Sequence, residues 1–294
     1  MFLSEELKLR CHQDADESTY LELCILFYES AASSIFQPHL LRVFSVLLMS
    51  ESFSEKIKGI TAADVTFINL LKESEFSCVS QVAVQGKTCV MKMYHAVEKS
   101  PADPPDREID NFTCESIAYQ RLKAKGLCQQ AVVPDFYGVI EQINPKKWQP
   151  HLKKFLNDKL RPNAVLIEYI PNICQINLST FSERRIAKLH AILRSIHAAG
   201  VYPGDPYPRN MIVQMDTDRV FWIDFDRAQT SSEGSITERQ RQWIQEEDEM
   251  MGEFVDFLKA DYQDGKSIVP GPTITHIYDG SSTPVMVSTT PSGD

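Results

Sequence analysis

Three stretches between residues 65 and 94 are rich in β-branched and other apolar residues, with polar residues between them. They cover residues 65–71, 77–84 and 88–94. Such runs are typical of β-strands, and Gly86 followed by Lys87 is suited to a tight turn between the last two. Two later runs, residues 131–140 and 164–171, have the same character. The pattern predicts a small antiparallel β-sheet.

The helical repeat first appears at residues 112–122, where apolar Ile117, Ala118 and Leu122 share one face. Gly126 is placed to end this helix. The preceding residues are rich in Pro, Asp and Glu and predict a loop.

Two further helices are predicted in the second half of the chain. Each follows a capping box, in which a Ser or Thr at the helix start is followed three residues later by Glu. One box runs from Thr180 to Glu183, and its helix ends near Gly200. The other runs from Ser235 to Glu238, and acidic residues 246–249 are expected to face outward. The inner faces carry Ile186, Leu189, Leu193 and Ile196 in the first helix, and Ile244, Met251, Phe254 and Leu258 in the second.

The stretch between these two helices carries the clearest chemical motif. Asp205 and Asn210 lie five residues apart in a proline-rich loop, and Asp224 follows fourteen residues after Asn210. Apolar residues 211–213 and 220–223, with a polar turn between them, predict a β-hairpin. This hairpin would fix the distance between Asn210 and Asp224.

These three side chains have the chemistry that phosphoryl transfer requires. A carboxylate within hydrogen-bond reach can accept the proton of an attacking hydroxyl, and Mg²⁺ prefers oxygen ligands. The spacing resembles that of a protein-kinase catalytic loop, and this resemblance implies that Asp205 is the base and that Asn210 and Asp224 bind the metal. Asp and Asn also favour turns for conformational reasons, so the alternative is a proline-rich turn without a catalytic role.

A lysine and a glutamate upstream complete the predicted site. Lys92 lies in the third β-prone run, where a strand lysine can grip nucleotide phosphates. Glu115 lies on the first turns of the predicted helix, where a carboxylate can pair with that lysine. Glu108 is the weaker candidate because it lies in the loop. The alternatives are an exposed strand lysine and a solvated glutamate near a helix N-terminus, which the helix dipole favours.

Composition and charge bear on the number of domains, on nucleic-acid binding and on the cellular compartment. The 294 residues suit one two-lobed domain or two small ones. The chain has 30 basic and 40 acidic residues, a formal charge of −10, which does not indicate non-specific nucleic-acid binding. The seven cysteines contain no C-x-x-C pair, which favours reduced thiols. The acidic N-terminus and the short apolar run at residues 40–49 predict a soluble, cytoplasmic protein with no membrane partner.

Three segments lie outside the motif. Residues 1–60 are predicted to be a partly helical N-terminal extension, and residues 264–294, rich in Pro, Gly, Ser and Thr, a disordered tail. Residues 146–161 are basic and contain Trp148 and Phe155. Such a patch can bind phosphates or single-stranded nucleic acid. A solvated amphipathic helix is the preferred interpretation, because the rest of the chain is acidic.

The order of these features resembles the protein-kinase-like superfamily. Along the chain, the features that carry the resemblance are Lys92, Glu115, residues 166–169, Asp205 with Asn210, and Asp224. The motifs Gly-Asp-Pro-Tyr-Pro-Arg-Asn and Trp-Ile-Asp-Phe-Asp are similar to those of the aminoglycoside/choline-kinase-type branch and of uncharacterised fungal relatives. The resemblance covers about residues 65–260.

The resemblance implies a two-lobed α+β fold. A small antiparallel β N-lobe would cover residues 61–170, and a short, mainly helical C-lobe would cover residues 171–263. It also implies ATP and Mg²⁺ as cofactors and a small-molecule hydroxyl as acceptor. Adenine would be bound by backbone groups of a hinge formed by Glu168, Tyr169 and Ile170.

Several features depart from the family pattern. No G-x-G-x-x-G occurs in the first hairpin, where residues 73–80 include two acids that repel phosphate. Pro203 replaces the His usual before Gly-Asp, and Asp226 replaces the Gly usual after Asp-Phe. No A-P-E segment follows, which argues against a protein substrate. Two functions stay open: a small-molecule phosphotransferase and a catalytically silent, kinase-fold binding protein.

Overall fold

A computed structural model describes residues 59–232 and 236–266. Most of the predicted N-terminal extension, residues 1–60, and most of the predicted tail, residues 264–294, lie outside the described residues. Within the described ranges, no helix has the length and apolar character needed to cross a membrane.

A five-stranded antiparallel sheet forms the first lobe. Its strands are β1 (Val65–Glu73), β2 (Ser77–Val84), β3 (Lys87–Tyr94), β4 (Phe136–Ile140) and β5 (Asn163–Glu168), in the order β1-β2-β3-β5-β4. The sheet confirms the predicted strand regions. Because β3 lies between β2 and β5, its side chains from Cys89 to Tyr94 are buried.

Helix α1 (Asn111–Ala124) packs against this sheet, as the helical repeat predicts. The Asp110 carboxylate caps it by accepting hydrogen bonds from two backbone N–H groups of the first turn. Ala118 and Leu122 of the predicted face are buried, but the prediction is wrong for Ile117. Ile117 is 45% exposed, whereas Glu115 and Tyr119 are fully buried. Burying Glu115 is costly unless it is paired, and its partners lie in the cleft described below.

The second lobe is mainly helical. Helix α2 (Glu183–Ala198) packs against helix α3 (Glu238–Gln263). The short strands are β6 (Ile173–Gln175), β7 (Val201–Tyr202), β8 (Met211–Gln214), β9 (Arg219–Trp222) and β10 (Gln229–Thr230). Strands β6, β8 and β9 form one antiparallel sheet, and β7 pairs with β10. The architecture is the α+β arrangement that the sequence predicts, with a small antiparallel β-sheet lobe followed by a mainly helical lobe.

Both helices begin where the sequence predicts, but the predicted capping residues are wrong. Ser182 rather than Thr180 caps α2, and its Oγ accepts the Arg185 N–H at 3.2 Å. Thr180 is held in the preceding turn, where its hydroxyl accepts the Asn177 N–H. The cap of α3 is Thr237, in a capping box with Gln240. Ser235 lies outside the described residues.

The basic segment, residues 146–161, does not form the predicted amphipathic helix. It contains two short 3₁₀ turns, Pro145–Trp148 and Lys153–Phe155. Trp148 and Phe155 are buried, and the Trp148 ring packs edge-on against Phe67 of β1 with centroids 6.3 Å apart. The aromatic side chains therefore anchor the segment to the first lobe and are not exposed for stacking on bases. Nucleic-acid binding by this segment stays a sequence-based prediction.

Candidate active site

A cleft of about 270 Å³ lies between the two lobes. Residues from β1, β2 and β3 line one side, and residues from the loop before β8 and from the end of β9 line the other. Six residues predicted for catalysis or for ligand binding line it together: Lys92, Glu168, Ile170, Asp205, Asn210 and Asp224.

Hydrogen bonds within the loop fix Asp205 and Asn210 relative to each other. Pro208 opens a single 3₁₀ turn, Pro208–Asn210, which brings the two side chains together. The Asn210 Nδ2 donates to the Asp205 backbone oxygen at 2.9 Å and to Asp205 Oδ2 at 3.0 Å. Both N–H groups of the amide are thereby used, so Oδ1 is the atom of Asn210 that can bind a ligand.

The hairpin of β8 and β9 delivers Asp224 to this loop, as the sequence predicts. Met211 pairs with Trp222 in the ladder. One residue further on, the Ile223 N–H donates to the Asn210 backbone oxygen at 3.0 Å. Asp224 itself has a φ of 66°, in the left-handed region that Asp tolerates better than most residues. Backbone conformations of this kind concentrate at functional sites.

Lys92 and Glu115, which come from distant parts of the chain, form a buried ion pair. The Lys92 Nζ lies 2.8 Å from Glu115 Oε1 and 2.7 Å from Asp224 Oδ1. Lys92 is 6% exposed and Glu115 is fully buried. The Tyr94 hydroxyl donates to the second oxygen of Glu115. Glu108, the weaker candidate, pairs instead with Lys99 at 3.0 Å.

The charges in the cleft depend on one another. Burial works against the charged form of Lys92, but Asp224 and Glu115 outweigh it and raise the pKa of the amine. Burial raises the pKa of Glu115 in spite of Lys92. Burial also opposes ionisation of Asp224, but Lys92 and Lys72 hold the pKa of this carboxyl below its usual value.

The pKa of Asp226 shifts in the opposite direction from the pKa of Asp224. Burial, together with the negative charge of Asp224, raises the pKa of Asp226 to about 7. Asp224 is therefore the carboxylate of the two that is ionised throughout the neutral range. Asp226 stands where the family pattern has a glycine, but the left-handed φ in this segment belongs to Asp224, so the backbone at position 226 does not require glycine.

Arg209 is a site residue that the sequence analysis missed. Its Nη2 donates to Asp205 Oδ1 at 2.6 Å and to Asp205 Oδ2 at 2.8 Å. With the bond from Asn210, Asp205 accepts three hydrogen bonds, and a carboxylate has about four lone-pair positions. Oδ1, which accepts one of the three, keeps a position for an incoming hydroxyl. In the sequence, the spacing of four residues between Asp205 and Arg209 could have indicated this ion pair.

The three predicted hinge residues differ in their placement. Glu168 and Ile170 line the cleft, whereas the Tyr169 side chain packs against the hydrophobic core. The Glu168 N–H donates to the Asp135 backbone oxygen at 2.8 Å. This donor is engaged within the protein, and the binding of adenine by other backbone groups of the hinge stays a prediction.

Asn210 and Asp224 offer oxygen atoms suited to Mg²⁺. Asn210 Oδ1 is not used by Asp205, and Asp224 contacts Lys92 through Oδ1, which leaves Oδ2. In phosphate-transfer sites Mg²⁺ keeps several waters and takes one or two protein ligands together with substrate phosphates. This donor set fits that pattern. In the described part of the chain, no group of three or more His, Cys, Asp or Glu residues is placed to hold a metal.

A buried carboxylate from α3 holds the residue before Asp205. Glu247 Oε2 lies 2.6 Å from His197 Nε2 of α2, and Glu247 Oε1 accepts the Gly204 N–H at 2.9 Å. Glu247 is 2% exposed, so the prediction that residues 246–249 all face outward is wrong here. Gly204 has a φ of 75°, and a Cβ at this position would lie 2.8 Å from the Arg227 backbone oxygen. Only glycine fits.

Replacing Glu247 with alanine is expected to lower the free energy of unfolding by about 3–5 kcal/mol. The substitution leaves His197 and the Gly204 N–H buried without their partner. Glu247→Gln, which keeps an acceptor oxygen for Gly204, is expected to cost less. Urea denaturation followed by circular dichroism measures both. The control is Glu246→Ala, exposed and adjacent, which should stay within about 0.5 kcal/mol of the wild type. Equal stability of Glu247→Ala and this control would contradict the role of Glu247.

Comparison with known proteins gives three results. Residues 151–247 match the family model described as lipopolysaccharide core biosynthesis protein (WaaY). Among solved structures, the chain is similar to the kinase PK-1 of Cydia pomonella granulovirus, with 13% sequence identity and a TM-score of 0.38. The similarity covers 64% of this chain and 60% of the viral kinase. A search of curated proteins finds no match.

Proposed function

We propose that this protein is a phosphotransferase that uses ATP and Mg²⁺ to phosphorylate a hydroxyl group of a small molecule. The observation that carries the proposal is the contact of Lys92 with both Glu115 and Asp224. Asp205 and Asn210 line the same cleft. A lysine that is oriented by a helix carboxylate, next to a metal-binding aspartate, is the arrangement that positions nucleotide phosphates in kinases.

Each residue has one role in this proposal. Asp205 accepts the proton of the acceptor hydroxyl while the hydroxyl oxygen attacks the γ-phosphorus and ADP leaves. Lys92, fixed by Glu115, binds phosphate oxygens of the nucleotide. Asn210 and Asp224 hold Mg²⁺, which when bound neutralises charge on those oxygens.

Three observations support a small, non-protein acceptor. The loop Gly-Asp-Pro-Tyr-Pro-Arg-Asn is similar to the aminoglycoside/choline-kinase-type branch and its fungal relatives. The family model that matches residues 151–247 is described by a role in lipopolysaccharide core biosynthesis. No A-P-E segment follows Asp226. We also propose a cytoplasmic location, because the odd number of cysteines and the lack of a C-x-x-C pair suit reduced thiols.

A catalytically silent, nucleotide-binding protein is the second candidate. The ion pair between Asp205 and Arg209 favours it. Arg209 already pairs with the carboxylate of the proposed base. An acceptor hydroxyl must therefore use the lone pair that Arg209 and Asn210 leave. If it does not reach that position, the cleft binds nucleotide without transferring phosphate.

One assay separates the two candidates. The protein is incubated with ATP, Mg²⁺ and a panel of amino sugars, amino alcohols and neutral sugars. ADP release and the mass of each acceptor are then measured. An acceptor that gains one phosphoryl group only when Mg²⁺ is present supports the phosphotransferase. Nucleotide binding with no phosphorylated acceptor across the panel supports the silent protein.

A further inference from the structure

The sheet side of the cleft carries the opposite charge from the one that the sequence suggests. Glu73 ends β1 and Glu75 lies in the turn before β2, and both were expected to repel phosphate. Both are exposed, and Glu73 faces a separate surface groove that also contains Lys153. The residue of this region that lines the cleft with a charge is Lys72.

Two irregularities in β1 account for the direction of Lys72. The pairing of β1 with β2 shifts register between Phe67 and Asn69, and again between Leu70 and Lys72. A bulge places an extra residue in one strand and re-aims the side chains around it. Leu70 is therefore 61% exposed on the outside, Leu71 packs against the core, and Lys72 lines the cleft.

Lys72 is also a cation of the cleft that can serve a ligand without breaking an existing pair. Lys92 and Arg209 are each bound to carboxylates of the site. Over residues 59–232 and 236–266, the Lys72 amine has neither an ion pair nor a hydrogen bond. Its charge nevertheless reaches Asp224. Arg227 lines the cleft as well, but it follows Asp226 and lies outside the strands of the first sheet, whereas Lys72 belongs to β1.

We propose that Lys72 binds the phosphates of the nucleotide from the sheet side of the cleft. Its positive charge would stabilise the phosphates, a role that the backbone N–H groups of a glycine-rich hairpin have in other nucleotide sites. A lysine binds phosphate as a point charge at the end of a flexible chain, so the backbone need not approach closely. This removes the difficulty that the absence of glycine from residues 73–80 creates. The inference rests on the proposed function, because it requires a nucleotide in the cleft.

Calorimetric titration of the full chain with Mg²⁺–ATP and with adenosine tests the role of Lys72. Lys72→Met is expected to weaken ATP binding about tenfold, because one charge-assisted contact to phosphate is lost. Adenosine, which has no phosphate, should bind both proteins equally. Lys72→Arg should restore most of the ATP affinity. Added salt should narrow the difference between the wild type and Lys72→Met, because it screens the lost charge.

The control is Lys188→Met, which removes an exposed lysine of α2 and should leave binding unchanged. Lys72→Gln replaces the methionine variant if that variant does not fold. Wild-type ATP affinity in the Lys72 variant would overturn the inference and leave the proposed function intact. Equal weakening of ATP and adenosine would also overturn it, because the damage would then be to the shape of the cleft. A wild type that binds no ATP would overturn the proposed function itself, and the inference with it.

Discussion

Replacing Asp205 with asparagine is expected to reduce turnover by at least about a hundredfold while ATP binding stays close to that of the wild type. A general base contributes about 10²- to 10⁴-fold to the rate. It acts only when the acceptor loses its proton, so kcat falls and the Kd of the nucleotide does not. Asparagine keeps one acceptor oxygen, and the Asp205 backbone oxygen still accepts from Asn210. Steady-state ADP release measures turnover, and calorimetry measures binding.

The stability of this variant separates a base from a turn residue. If Asp205 only shapes the loop, turnover should fall no further than the loss of folded protein, which the melting temperature reports, because its side chain then only satisfies neighbouring donors. Asp256→Asn, an exposed change on α3, is the control and should alter neither turnover nor stability. Full activity in Asp205→Asn would show that the base is another group or that none is needed.

Replacing Asp224 with asparagine is expected to remove the Mg²⁺ dependence of ATP binding and to lower turnover by at least about a hundredfold. A metal at a transferred phosphate stabilises the transition state by several kcal/mol, and each 1.36 kcal/mol corresponds to a factor of ten in rate. The variant also deprives Lys92 of one of its two carboxylates. ATP titrations with and without Mg²⁺ measure the effect.

Glu115 keeps its ion pair with Lys92 in that variant, so the first lobe should stay folded. Asp256→Asn again serves as the control and should show the wild-type response to Mg²⁺. If Mg²⁺ still tightens ATP binding to Asp224→Asn by the wild-type factor, the metal ligand is elsewhere in the cleft.

The fold could be predicted from the sequence where a local pattern determines the structure. The strands of the first sheet have β-prone residues and a tight turn at Gly86. The hairpin that ends at Asp224 has apolar runs on both sides of a polar turn. The Lys92–Glu115 pair was found by combining the order of elements with the chemistry of the two side chains, since neither residue is distinctive alone.

The sequence could not show which polar residues are buried by tertiary contacts. Glu247 belongs to an acidic run of α3 that looks solvated, and its burial follows from His197 and Gly204, which approach from other elements. The direction of Lys72 depends on the register between β1 and β2, and alternation within one strand contains no information on a bulge. The helix caps were misplaced because two Ser or Thr residues stand close together at each helix start.

The central claim is that the cleft between Lys92 and Asp224 binds ATP together with Mg²⁺. Calorimetric titration of the wild-type protein with ATP, in the presence and absence of Mg²⁺, tests it most directly. We expect saturable binding with a Kd of about 1 μM to 1 mM, the range in which enzymes generally bind their substrates, and tighter binding when Mg²⁺ is present. The melting temperature should rise with ligand concentration in parallel. No binding heat and no change in melting temperature at millimolar Mg²⁺–ATP would contradict a nucleotide site in this cleft.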